Sequence, residues 1–276
     1  MLRLMLTFLF CIVFFAAQPA FAETRIRLVS TTSTQDSGLF EHILPVFEKK
    51  TGIKVDVVAV GTGAALEIGK RGDADVAFVH ARELELEAVK DGYFVNRRDV
   101  MYNDFVIISP VNDPLKIKGI RSATDAFRKI GKGGYFFVSR GDRSGTHTRE
   151  LSLWKMAGIE PKGQKWYLEV GQGMAITQRI ANEKRAYTLT DRGTWLAAKD
   201  RDRLEMIIAL EGDPILFNQY GVMAVNPQKH KHVKYKEAME FINWLISKEG
   251  QHTIASFKDK HGNQLFMPNA KAGKRQ

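Results

Sequence analysis

Short β-branched runs alternate with longer stretches of helical spacing along almost the whole chain, and this confines it to an α/β architecture of βαβ units around parallel sheets. The spacing predicts strands at Ile26 to Val29, Val55 to Val60 and Val76 to Val79, with helices at about Leu39 to Lys49 and Ala64 to Arg71. Leu39, Ile43, Leu44 and Phe47 fall on one helical face, Asp36 or Ser37 offers the N-cap, and Pro45 predicts a kink. Past Tyr102 a strand at Phe105 to Ser109 runs into Pro110, and the alternation starts again. It gives helices near Ala123 to Ile130, Gly145 to Ala157 and Ile176 to Lys184, and strands near Tyr135 to Val138, Ala186 to Leu189 and Met206 to Ala209. Gly221 to Val225 reads as a strand crossing back, followed by helices at about Lys236 to Ile246 and Gly250 to Phe257. Two crossings predict two sheets and two lobes, with lobe I formed by residues 23–104 and 218–276 and lobe II by 105–217. One large doubly wound sheet is the competing architecture.

The first 22 residues have the form of a secretory signal: Arg3, an apolar run from Leu4 to Ala17, then Ala20-Phe21-Ala22, with cleavage expected after Ala22. That run is roughly 14 residues against the roughly 20 of a membrane span. Cys11, the one cysteine, follows bulky Phe10 inside the run, which does not suit a lipid anchor. Removal of 22 residues from 276 leaves 254, without cysteine, so disulfides and thiolate metal sites are excluded. The net charge, +10 for the whole chain and +9 without Arg3, favours anionic partners. Nucleic acid is not expected among them, because basic residues are interspersed with acids, as in Glu83, Glu85, Glu87 and Lys90 or Glu183-Lys184-Arg185. Lys271 to Gln276 reads as a basic, frayed end.

Two segments carry the chemistry. Ser30-Thr31-Thr32-Ser33-Thr34 places five hydroxyls between a strand and a helix, where α/β sheets bind ligands and helix N-termini offer N–H groups to anions. A capped turn accounts for such a run equally well. Ser139-Arg140-Gly141-Asp142-Arg143-Ser144-Gly145-Thr146 stands at the equivalent place in the second half, where arginine supplies a forked donor set and glycine permits close backbone approach. Val60-Gly61-Thr62-Gly63 and Gly171-Gln172-Gly173-Met174 are weaker candidates of the same kind. Ser152-Leu-Trp-Lys155 lacks the companions of a penicillin-recognising site. His80, His230 and His232 have no neighbours at zinc spacing.

The strings TTSTQDSGL (31–39), VGTGAALEIGKRGDADVAFVHA (60–81), SRGDRSGTHTRELSLWKMAGI (139–159), GQGM (171–174), AYTLTDRGT (186–194) and EGD (211–213) together resemble the periplasmic tungstate-binding proteins of ABC importers. The resemblance implies the two-lobed type II periplasmic binding-protein fold, an α/β fold with two sheets, flanking helices and two crossover strands. It implies no catalysis and no cofactor, with tungstate, and molybdate beside it, carried as the oxyanion to a membrane permease by a monomer. Carried over by position, Thr31, Thr32, Ser33, Thr62, Arg140, Ser144, Gly145 and Thr146 surround the anion. The family's hydroxyl signature starts with threonine where this chain has Ser30. A phosphate receptor is the alternative, favoured if Asp142 aims its carboxylate at the ligand, and a periplasmic phosphate-ester hydrolase is the rival from another class.

Overall fold

The computed structural model describes residues 23–271; the predicted leader with its cleavage site, and all but the first residue of the basic C-terminal end, lie outside the described residues. The order is β1 Arg25–Thr31, α1 Thr32–Asp36, α2 Leu39–Thr51, β2 Lys54–Val60, α3 Thr62–Lys70, β3 Val76–Val79, α4 Arg82–Lys90 and β4 Phe94–Pro110. Then follow α5 Ala123–Gly133, β5 Phe137–Ser139, α6 Gly145–Ala157, β6 Tyr167–Glu169, α7 Met174–Glu183, β7 Thr188–Asp191, α8 Arg192–Ala197 and β8 Met206–Leu210. The chain closes with β9 Phe217–Val225, α9 Tyr235–Leu245, α10 Lys248–Ala255 and β10 Met267–Pro268. None of the described helices is long and apolar enough to cross a membrane.

The first sheet runs β10-β4-β9-β3-β1-β2. Within it β2, β1 and β3 are parallel, while β9, β4 and β10 pair antiparallel. β4 continues into a second group of strands, where Phe105 to Ile108 pairs with β7 and Ile107 to Pro110 with β8. β5 and β6 pair in parallel and join β7's segment through the bridge Phe137 to Tyr187. The architecture is thus α/β with mixed sheets, and β4 is a single strand common to both.

Alternation along each strand divides the apolar side chains between the two faces of its sheet. In β3, Val76 and Phe78 join Leu28, Phe47 and Phe241 in one core, while Ala77 and Val79 join Leu66, Phe94 and Met223 in another. In the second half of β4, Phe105 and Ile107 pack with Phe127, Phe137 and Trp154, while Val106 and Ile108 pack with Val138 and Trp195. Trp154 makes edge contacts with Phe127 and Phe137 at centroid distances of 4.5 and 5.1 Å.

Several local expectations change. β4 begins at Phe94, well before the predicted Phe105, because register shifts between Val95 and Arg98 and between Asp99 and Met101 break the period-2 pattern. The hydroxyl run is partly helical: Thr31 caps α1, and α2 starts from Gly38 in the left-handed region (φ 79°), not from an Asp36 or Ser37 cap. α2 runs on through Pro45 to Thr51. Pro45 and Glu41, whose carbonyl loses its helical donor, are both exposed, so the missing bond falls on the solvent side of the helix.

Candidate functional site

Strand-to-helix turns from both halves of the chain meet at one place. Arg140, in the turn after β5, donates through Nη2 to Thr32 Oγ1 at 3.1 Å in the first turn of α1. Gly145 N, at the start of α6, donates to Thr62 Oγ1 at 3.2 Å at the start of α3. The approach is close: a Cβ on Gly61 would stand 3.4 Å from the Asp142 carbonyl oxygen, and one on Gly145 3.1 Å from His80 Cε1. Gly141 has φ +61°, and a Cβ there would come within 2.9 Å of Glu169, so glycine is required twice over.

All eight residues singled out from sequence fall in this patch, in different states. Arg140 is 1% exposed; its Nη2 also meets Asp142 Oδ2 at 2.5 Å, whereas Nε and Nη1 have no hydrogen-bond partner among the described residues. Thr146 Oγ1 is likewise buried and unpartnered. Thr32 and Thr62 hold the contacts just given, and Ser144 caps α6 by accepting from His147 N at 3.2 Å. Thr31 points inward: its hydroxyl accepts from Thr34 N at 3.3 Å and lies 2.7 Å from Thr34 Oγ1, 3.1 Å from Ser33 Oγ and 3.2 Å from His80 Nε2. Asp142 faces donors with both oxygens, Oδ2 taking Arg140 and Oδ1 taking Ser144 N at 3.1 Å.

A buried hydrogen-bonding group left unpaired costs about 1 to 3 kcal/mol, and more when charged. Arg140 Nε, Arg140 Nη1 and Thr146 Oγ1, all in the segment that joins β5 to α6, are donors that an acceptor-rich, negatively charged guest would satisfy. The positive N-terminal ends of α3 and α6 add to the same field.

Thr31 also has a structural duty. Thr31→Ala removes the acceptor that caps α1, and an unfolding curve in urea is expected to show a loss of about 1 kcal/mol at unchanged slope. An unchanged midpoint would mean that the cap contributes nothing.

A second polar group comprises His80, weighed from sequence only as a metal ligand, with Asn103, Asp191, Thr194 and Asn218, which were not singled out. All five are buried, and they form a chain from Asp191 through Asn103 and Asn218 to His80, which stacks on Tyr220 at 4.6 Å. Burial pushes the His80 pKa down, while the neighbouring Asp191 carboxylate pulls it up. One signal was available: Asp191 precedes Arg-Gly-Thr194 as an N-cap with a hydroxyl three residues on, at the end of a strand. His230 and His232 bond backbone carbonyls through Nε2, and no group of three or more His, Cys, Asp or Glu side chains converges among the described residues.

A PBP superfamily domain matches residues 18–249. The tungstate-binding protein TupA of Peptoclostridium acidaminophilum is 47% identical over 252 residues, covering 90% of this chain and 87% of the relative. Among solved structures, the tungstate ABC transporter protein of Geobacter sulfurreducens is 54% identical, covers 86% of this chain and 100% of that one, and superposes with a TM-score of 0.78. The tungstate-binding protein TupA of Desulfovibrio alaskensis is 44% identical over 90% of this chain and 100% of its own, with a TM-score of 0.77.

Proposed function

This chain belongs to the PBP superfamily and, within it, to the family of the tungstate-binding proteins, and from that membership we propose that it captures tungstate between two lobes. The observation that carries the reading is the buried Arg140, with two unpaired guanidinium nitrogens, in the same strand-to-helix segment as the unpaired Thr146 hydroxyl. A fully deprotonated tetrahedral dianion offers only acceptors, and these groups offer donors. Hydrogen phosphate also needs an acceptor for its own proton. Asp142, the carboxylate nearest Arg140 in sequence, has both oxygens engaged by Arg140 and Ser144, which favours tungstate over phosphate.

The ligand set is Thr31, Thr32, Ser33, Thr62, Arg140, Ser144, Gly145 and Thr146, with Thr31 also capping α1. Lobe I comprises residues 23–104 and 218–276, and lobe II residues 105–217. The protein is exported to the periplasm after cleavage at Ala22, acts as a monomer without turnover, and hands the ion, molybdate alongside tungstate, to the permease of an ABC importer. Isothermal titration is expected to show one site per chain that binds tungstate at least tenfold more tightly than phosphate or sulfate. Equal or tighter phosphate binding would overturn the assignment.

A further inference from the structure

The hydroxyls of the site are wired to a histidine, and the wiring has a direction. Asp191, whose carboxylate oxygens only accept, takes Thr194 N at 2.8 Å, the Thr194 hydroxyl at 2.6 Å and Asn103 Nδ2 at 3.3 Å. Asn103 is thereby oriented with Oδ1 towards Asn218 Nδ2 at 2.7 Å, and Asn218 in turn presents Oδ1 to His80 Nδ1 at 3.0 Å. An acceptor facing Nδ1 holds a proton there. The nitrogen that titrates is therefore Nε2, which lies 3.1 Å from Ser33 Oγ and 3.2 Å from Thr31 Oγ1. Without a proton, Nε2 draws a hydroxyl hydrogen inward and leaves that oxygen's lone pairs facing the site. With a proton, Nε2 donates into the hydroxyl oxygen and releases its hydrogen towards a guest.

We propose that His80 is a positioning residue for the bound oxyanion, and that capture of the dianion takes up one proton from solvent onto His80 Nε2. This rests on the oxyanion reading above. Imidazole becomes imidazolium as the dianion enters. The charge count supports the step, because Arg140, the one cation in the ligand set, is already paired with Asp142.

The groups around His80 agree with this assignment. Asp191 at the end of β7 favours the added proton, and Arg140 opposes it until an anion screens it. Tyr220 from β9 stacks on the ring; Glu85 of α4 is tied to Arg97 at 2.8 Å; Asp36 is exposed at the end of α1; Arg82 of α4 and Arg149 of α6 line the groove beside the ring. His147 is the other buried histidine near Arg140, but its Nδ1 accepts from Arg143 N at 3.0 Å, so a second proton there would break a bond. Burial also lowers the His80 pKa before the anion arrives.

The test is calorimetric titration of the protein with sodium tungstate from pH 6.5 to 8.5, in pairs of buffers with small and large ionisation heats. The expected result is uptake of close to one proton per tungstate, with Kd weakening by up to about tenfold per pH unit. His147→Gln should keep both signatures. His80→Gln, whose amide still donates to the hydroxyls, should bind with a flat pH profile and no uptake, and Asn218→Asp, which sets a charge beside Nδ1, should move the profile to higher pH. Tungstate binding whose heat is independent of buffer and whose Kd is constant within threefold in the parent protein would overturn the proposal. Failure to bind tungstate at any pH would instead overturn the ligand assignment on which it rests.

Discussion

Arg140→Ala is expected to weaken tungstate binding by more than a hundredfold, roughly 3 kcal/mol, because it removes the buried cation and both of its unpaired donor nitrogens at once. Arg140→Lys should not restore it, since a point charge on a flexible stem cannot reproduce the planar fork that Thr32 and Asp142 hold through Nη2. The substitution also strips Asp142 of its charge partner, leaving only Ser144 N. The double variant Arg140→Ala with Asp142→Asn separates the two effects: it should bind as weakly as the single one if the lost cation is the cause. Thermal melts supply an independent readout, because stabilisation by a ligand follows its concentration relative to Kd and should shrink by about 3 kcal/mol at a fixed tungstate excess. Folded Arg140→Ala that binds within threefold of the parent would remove Arg140 from the site and move the search to Gly171–Met174.

The second large effect concerns Glu150, buried in α6 beneath the Arg140 turn. Its carboxylate accepts from Tyr167 OH at 2.7 Å and from Trp154 Nε1 at 3.2 Å. Burial nevertheless pushes its pKa from 4.5 up to about 8. The folded chain therefore holds a proton that the unfolded chain releases above pH 4.5. Stability contributed below that point is lost as pH rises, by up to about 1.4 kcal/mol per pH unit, until the folded carboxyl also ionises. Glu150→Gln keeps an acceptor for Tyr167 and cannot ionise. Denaturant melts of the two proteins should coincide near pH 4.5 and diverge upward, with the variant more stable at pH 8.5 by on the order of 4 kcal/mol. Glu85, pushed up to about 7 by burial against the pull of Arg97, is common to both proteins and cancels in the difference. Parallel stability curves would show that Glu150 ionises freely in the folded state.

Where packing follows a repeating spacing, the sequence is explicit. β3 and α6 have the predicted bounds, Val76–Val79 and Gly145–Ala157, because β3 is a four-residue apolar run and α6 is opened by the Ser144 cap and closed by Gly158. The first half of β4 was hidden because Arg97, Arg98 and Asp99 sit in irregular register, and α1 because serine and threonine favour caps over helix interiors. The site divides in the same way. Its glycine, arginine and hydroxyl turns are local and readable. The chain from Asp191 to His80 is assembled from residues 88, 115 and 138 positions apart, in β7, β4, β9 and just past β3, and no periodicity announces such a contact. Thr31 and Arg140 lie in the turns read from sequence, and both are 1% exposed, Thr31 against Ser33, Thr34 and His80 and Arg140 against Thr32 and Asp142.

The place of β9 in the first sheet has a consequence for how the molecule is made. It lies between β3 and β4, yet its residues, 217–225, follow every element of the second half in sequence. A ribosome delivers β1, β2 and β3 early, and they wait with the β3 edge bare and two apolar faces incompletely covered. β4 appears soon afterwards but has no neighbour in that sheet until β9 arrives. Pairing so distant in sequence is slow to form, and an unpaired edge is the surface on which nascent chains aggregate. The middle of the first sheet is thus closed only after the whole second half has been made, with only the short edge strand β10 still to come, and the β3 edge is open to mispairing for that time.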